Sequence, residues 1–279
     1  MTFADAGILY LNRPGGVHRL DAWRIGQLGR VMGDNTFVDI KDGWARFKAV
    51  RCAGRKPATV DRFRKIAQAV MNYAADEWGL ARVSLPAIRY SNERIKFLNM
   101  AQREALLGAY TPHVRPIALM LCFQGCRTQE ALQLTWQNVD FGAQTIYFDR
   151  TKNGEPRTVP MQTRVFNALI ELWEGQGRPD TGHVFRNRFG KPYADTRNYK
   201  LPGGNPIAKA HQTACRRAGI EDFRVHDWRH HWASHCMMAN PPIDIETIKR
   251  MGGWKSLAML ERYASVSTVH MKEAIRRIA

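Results

Sequence analysis

In the tetrapeptide His226-Asp227-Trp228-Arg229, His226 and Arg229 stand three residues apart. A helix at this spacing sends both side chains out of one face. One of them titrates near neutral pH; the other is a lasting cation whose planar fork fits phosphate oxygens. Tyr263 follows in the stretch from Lys255 to Tyr263, a short helical pattern after a Gly252-Gly253 break. A tyrosine near such a pair, in a strongly basic chain, points to a nucleophile aimed at a phosphodiester. That chemistry also needs a second cation, a general acid and a way to hold nucleic acid.

Arg127 is a candidate for the second cation. The run from Arg127 to Trp136 reads as a helix, and Arg127 falls in its first turn, where a cation gains nothing from the helix dipole. The lesser alternative is that Arg127 and Glu130 form only a surface i,i+3 ion pair. Further on, Thr145 to Phe148 alternates and is rich in β-formers, with Arg157 to Pro160 as its partner strand. Asn153-Gly154 between them is a hairpin-turn signal, which puts Lys152 at or beside the tip. An exposed hairpin lysine is ordinarily only solubilising, so Lys152 by itself decides nothing.

The elements that must position these groups read as mixed but mainly α. Residues 1–85 form an all-helical domain, 86–97 a linker, and 98–279 an α+β domain with a small β-hairpin or sheet. In the first domain Leu20, Trp23, Gln27, Leu28 and Val31 form an amphipathic stripe, and Asp39 caps a helix carrying Trp44, Phe47 and Val50. Thr59 is the expected N-cap of a longer helix with Val60, Phe63, Ala67, Val70, Ala74 and Trp78 on one side. Arg55 and Lys56 lie in the turn before it, and Arg62, Arg64 and Lys65 on its surface, as a solvated face or as DNA contacts. In the second domain, helices are expected over 100–107, 115–123, 164–173, 208–218 and 270–279. Gly125 ends the second of these in the left-handed conformation. Asp227 should cap the helix of the His/Arg pair, and Asp244 the helix that ends at Gly252-Gly253.

Composition narrows the partner. The chain has 279 residues, with 42 Lys and Arg against 25 Asp and Glu, a formal net charge of +17. Basic groups that neutralise phosphates release condensed counterions, so this balance favours a polyanion. The longest apolar run, Ile117 to Phe123, is far too short to span a bilayer, and the first residues lack the pattern of a secretory signal. Cys52, Cys122, Cys126, Cys215 and Cys236 make an odd count without a paired framework, which reads as reduced thiols.

Taken in order, Arg127, Lys152, His226-x-x-Arg229, Trp254 and Tyr263 resemble the active-site series of the tyrosine recombinases, the lambda-integrase family. The stretch Gln124 to Leu132 is similar to that family's first arginine box, and His226 to Ser234 to its second. The interval of nine from Trp254 to Tyr263 matches as well. Departures are Gln129 before the glutamate, Trp228 where leucine is usual, and Trp254 where many members have histidine. Indole donates a hydrogen bond but cannot move a proton, which leaves Trp254 a phosphate-binding and packing role.

The resemblance implies a phage-type integrase with a core-binding domain that clamps DNA ahead of the catalytic domain. It implies Tyr263 as nucleophile, Arg127 and Arg229 on the phosphate, His226 as proton carrier, Lys152 as the acid for the 5′-oxygen and Glu130 as support behind the histidine. No metal or other cofactor is expected. The expected partners are double-stranded DNA, a homotetramer on paired sites and an accessory DNA-bending protein, in the cytoplasm of a bacterial host. Two alternatives stand beside it: a non-catalytic DNA-binding relative, and a type IB topoisomerase-like enzyme. A zinc site on His226, His230, His231 and His235 is disfavoured, because no HExxH and no acidic ligand at a useful interval accompany them.

Overall fold

The computed structural model describes residues 1–90, 96–149, 155–196, 204–239 and 241–264. The chain divides into two compact units, Met1–Asn92 and Glu93–Ala279.

The first unit is four helices: α1 (Phe3–Leu11), α2 (Arg19–Met32), α3 (Ile40–Arg51) and α4 (Pro57–Trp78). α1 has no counterpart in the sequence reading, although Thr2 and Asp5 form a reciprocal capping box at its start. Along α2 the buried face is Ile25, Leu28 and Met32; of the expected stripe Leu28 is buried and Val31 packs against the core, whereas Leu20 and Trp23 are about half exposed. α4 begins two residues before the expected cap: Pro57 takes its first turn, where the missing N–H costs nothing, and Lys56 holds the N-cap. Val60, Phe63, Ala67, Val70 and Ala74 are buried as their spacing predicts, against Trp44 and Phe47 of α3, whereas Val50 is exposed. Asp39 occupies the N-cap of α3, but its carboxylate accepts from Thr36 N and Asn35 Nδ2 rather than from the helix.

The second unit holds α5 (Met100–Ala109), α6 (Arg115–Gln124), α7 (Thr128–Leu132), β1 (Val139–Asp140), β2 (Thr145–Phe148), β3 (Arg157–Pro160), α8 (Thr163–Gly175), α9 (Ala208–Arg217), α10 (Asp227–Met237), α11 (Ile245–Gly252) and α12 (Ala258–Ala264). The strands form an antiparallel sheet in the order β1-β2-β3, with Phe148 opposite Arg157 and Thr145 opposite Pro160. The β2–β3 pairing is as read from sequence; β1 is an addition. The helix expected from Arg127 to Trp136 is shorter: α7 stops at Leu132, and a 3₁₀ turn covers Trp136–Asn138. Asp227 is the first residue of α10, not its cap; its carboxylate accepts from Arg224 N. The turn at Lys152 and the segment 270–279 lie outside the described residues. Among the described residues no helix is long and apolar enough to cross a membrane.

α6 and α10 pack on each other and carry the site. α6 is buried on nearly every side, from Ile117 through Cys122. Gly125 ends it at φ 60, where a Cβ would fall 2.1 Å from the Trp232 ring of α10. Gly125→Ala therefore combines left-handed strain with a clash in a packed interior, together about 2–5 kcal/mol. The midpoint of a thermal melt should fall by roughly 4–20 °C. An unchanged midpoint would mean that Trp232 has room to move aside.

Candidate active site

The site is built around the C-terminal end of α11. Helix ends leave carbonyls without intrahelical partners at the negative end of the dipole, where cations are stabilised. Here three consecutive carbonyls each accept from a different guanidinium. Met251 O accepts from Arg157 Nε at 2.9 Å, Gly252 O from Arg229 Nη1 at 2.6 Å, and Gly253 O from Arg127 Nη2 at 2.8 Å. The glycine pair makes this approach feasible. Gly253 sits at φ 67, and a Cβ there would fall 2.8 Å from Arg157 Nη1; one on Gly252 would fall 1.8 Å from the Trp254 ring.

Glu130, expected behind His226, instead ties two of these arginines together. It is 5% exposed and accepts from Arg127 N at 2.9 Å, Arg127 Nη1 at 2.7 Å and Arg157 Nη2 at 2.7 Å. Arg127 stands at the N-cap of α7, so a cation takes a place where an acceptor side chain is usual. Burial raises the Glu130 carboxyl, but hydrogen bonding and charge from Arg157, with the backbone N–H and charge of Arg127, outweigh it and hold it below the usual carboxylate range. Arg157 also lies over the Phe148 ring, 4.6 Å from its centroid.

Arg229 is 4% exposed on α10. Its Nη1 donates to Gly125 O at 2.7 Å as well as to Gly252 O, and its guanidinium carbon lies 3.7 Å from the Trp254 ring centroid. Trp254 in turn stacks on Trp232, with centroids 6.0 Å apart and planes 9° from parallel. Arg229 Nη2 is buried and makes no hydrogen bond among the described residues. Burial, with Arg127 and then Arg157 nearby, pushes the guanidinium down to about 9 despite the opposing pull of Glu130. It stays charged at neutral pH.

Tyr263 lies on α12, 2% exposed, edge-on to Trp254 at 6.4 Å. Its hydroxyl is hydrogen-bonded to Nδ1 of His230. His226 is exposed at the N-cap of α10, with its ring perpendicular to that of His230 at 5.2 Å. The structure thus gathers Arg127, Glu130, Arg229, Trp254 and Tyr263, with His226 at the edge through His230. Lys152 lies outside the described residues.

The other candidates belong to the first unit. Arg55 donates to Arg51 O, Arg62 faces Asp21, and Arg64 and Lys65 share the buried Asp61; Lys56 is exposed. His231 and His235 are engaged with the backbone of Leu98, and burial drives His231 down to about 3.

Arg157 is not among the candidates read from the sequence, and His230 enters there only within the disfavoured zinc site. For Arg157 a signal was present: strand alternation puts it on the same face as buried Val159, an inward arginine that demands a partner. His230 lies one turn beyond His226, hence on the same helix face.

The phage integrase family model matches residues 96–270. The integrase of Salmonella phage P22 is 28% identical over 229 residues, covering 76% of this chain and 54% of that protein. The chain spans about half to two-thirds of the length of the curated phage relatives it matches first. Among solved structures, the Tn1549 transposon integrase in complex with transposon right end DNA has a TM-score of 0.71 at 16% identity, over 100% of this chain and 99% of that one. A lambda integrase tetramer bound to a Holliday junction has a TM-score of 0.73 at 15% identity, over 94% and 77%. These two likenesses establish the fold. The family match extends over more than half of the chain and includes every residue of the arginine cluster: the chain belongs to the phage integrase family.

Proposed function

We propose that this chain is a site-specific DNA recombinase, an integrase of a phage or other mobile element, that cleaves and rejoins DNA through a 3′-phosphotyrosine. The observation that carries this reading is the charge balance of the cluster. Three guanidiniums face one carboxylate, and a buried nitrogen of Arg229 has no partner among the described residues. Among the described residues the cluster carries an excess of positive charge, and a phosphodiester fits its fork geometry.

Tyr263 is the nucleophile. Its phenolate costs roughly 4 kcal/mol to form at pH 7, which the arginines offset by favouring negative charge on the phenolate and on the pentavalent phosphorus. Arg127 and Arg229 hold the non-bridging oxygens, Trp254 packs the guanidinium of Arg229, and Glu130 fixes Arg127. His226, exposed beside the cluster, can donate to a phosphate oxygen. Lys152 is assigned the proton for the departing 5′-oxygen on the family resemblance. The phosphotyrosine conserves the energy of the broken bond, so neither metal nor nucleotide enters the reaction, and a 5′-hydroxyl from another strand can reverse it. The helical first unit, with Arg55, Lys56, Arg62, Arg64 and Lys65, is assigned to clamping DNA. The DNA complexes and the tetramer among the fold relatives support duplex DNA as partner and assembly of four copies on paired sites, with an accessory bending protein as an optional addition. The site of action is then the cytoplasm of a bacterial host.

The test begins with a pool of nicked duplexes whose central sequence is randomised. Covalent adducts formed in EDTA without nucleotide are recovered and sequenced, and the selected duplex becomes a suicide substrate. Tyr263→Phe is expected to bind that duplex but to form no adduct. A normal covalent yield from this variant would sink the assignment. Absence of adduct from the unaltered chain would favour a non-catalytic DNA-binding relative, and strand exchange by monomers a topoisomerase-like enzyme.

A further inference from the structure

We infer that His230 is a further catalytic residue of this site: it accepts the phenolic proton of Tyr263 as the phenol oxygen attacks phosphorus. The inference rests on the recombinase reading above. It comes from the contact itself, since Nδ1 of His230 meets the Tyr263 hydroxyl directly. With the ring hydrogen on Nε2, Nδ1 is the acceptor and the phenol donates to it. A neutral imidazole holding the O–H of an attacking oxygen is the arrangement general-base catalysis requires.

The surroundings favour this role over simple packing. His230 is only partly buried, but its neighbours on α10, Arg229 and His231, are locked in place: one by carbonyls of Gly125 and Gly252, the other by the amide of Leu98. The ring is therefore presented from a rigid helix. Among the described residues, the titratable rings against it include His226, perpendicular at 5.2 Å on its own helix, and Tyr263 of α12 at 5.6 Å. His226 stands one turn earlier, exposed at the N-cap. The two histidines thus divide the work, His226 facing phosphate and His230 facing the nucleophile.

The step balances without a co-reactant. The phenolic O–H bond breaks and its proton passes to His230 Nδ1, giving an imidazolium. The phenol oxygen bonds to phosphorus, the bond from phosphorus to the 5′-oxygen breaks, and that oxygen takes a proton from the general acid assigned to Lys152. Religation runs the same transfers backwards, with His230 returning the proton to Tyr263.

The experiment is single-turnover adduct formation on the selected nicked duplex, from neutral to alkaline pH. His230→Ala and His230→Asn are compared with the unaltered chain, with gel-shift binding and thermal melting measured alongside. Both variants should bind the duplex, and both should lose about 10²–10⁴-fold in rate near neutral pH, the usual worth of a general base. The deficit should narrow as the pH approaches about 10, where phenol ionises without help. Asparagine can accept the hydrogen bond but cannot carry the proton. A near-normal rate for His230→Asn would therefore overturn the inference and leave His230 as a positioning residue. A deficit that is the same at every pH would overturn it too. If the unaltered chain forms no adduct with any duplex, the recombinase reading fails first, an outcome distinct from either of these.

Discussion

Replacing Arg229 with lysine is expected to slow adduct formation by about 10³–10⁵-fold, the range by which a catalytic arginine accelerates phosphoryl transfer. The loss comes from geometry, since both residues are cations. Arg229 Nη1 is committed to two carbonyls, Gly125 O at 2.7 Å and Gly252 O at 2.6 Å, while the guanidinium plane lies on Trp254. Because the group is planar, those contacts fix the direction of Nη2, the nitrogen without a partner among the described residues. An ammonium on a flexible stem can satisfy the carbonyls, but it then has no fixed donor left for a phosphate oxygen and no flat face for the indole. Duplex binding should change little, because many phosphate contacts share it. Single-turnover adduct yield read beside a gel shift separates the two effects. A lysine variant within tenfold of the unaltered rate would mean that the fork geometry is not what the site uses.

Much of this site was legible before the fold was known, and the missing parts share one cause. His226, Arg229, Trp254 and Tyr263 fall within 38 residues, and it is their order and intervals that resemble a known family's series. The pairing of Thr145–Phe148 with Arg157–Pro160 was also local, set by alternation around a turn signal. What spacing could not reveal is the rack of carbonyls at Met251, Gly252 and Gly253. Two of its three hydrogen bonds join residues 94 and 126 positions apart, and backbone carbonyls carry no sequence signature. Gly252-Gly253 was read as a helix break, which it is. Its second purpose, leaving room for Arg157 and Trp254, depends on neighbours only the fold supplies. In the first unit the misread stripe on α2 has a different origin. Leu20, Trp23, Ile25, Leu28, Val31 and Met32 contain two overlapping helical faces that share Leu28, and packing buries Ile25, Leu28 and Met32 while Leu20 and Trp23 stay about half exposed. Thr59 is not the cap because Pro57, whose fixed φ suits a helix start, opens the helix two residues earlier and leaves Lys56 at the N-cap.

Glu130→Gln should destabilise the chain by about 3–5 kcal/mol at neutral pH, the usual cost of removing one partner from a buried ion pair. Glutamine keeps the shape but presents an amide nitrogen to donors that expect an oxygen, and it removes the carboxylate shared by Arg127 and Arg157. With that charge gone the two guanidiniums repel, and their hold on Gly253 O and Met251 O weakens. The melting midpoint should fall by roughly 6–20 °C. The sign of the pH dependence follows from the direction of the Glu130 shift. Its folded value lies below 4.5, so the carboxylate contributes its full stability above that pH and loses it as the pH falls through the lowered folded value. Melts of the two proteins should therefore stay far apart from pH 8 to about pH 5 and converge in more acidic buffer. A gap that persists undiminished into strong acid would show that the cost is steric, arising from the amide's shape and not from the lost charge. Arg157→Ala supplies the second arm. If Glu130 acts through Arg157, the double variant should be less destabilised than the sum of the singles, because each single change leaves the other's charge buried and unmatched. Additive losses would instead place Glu130's effect on Arg127 alone.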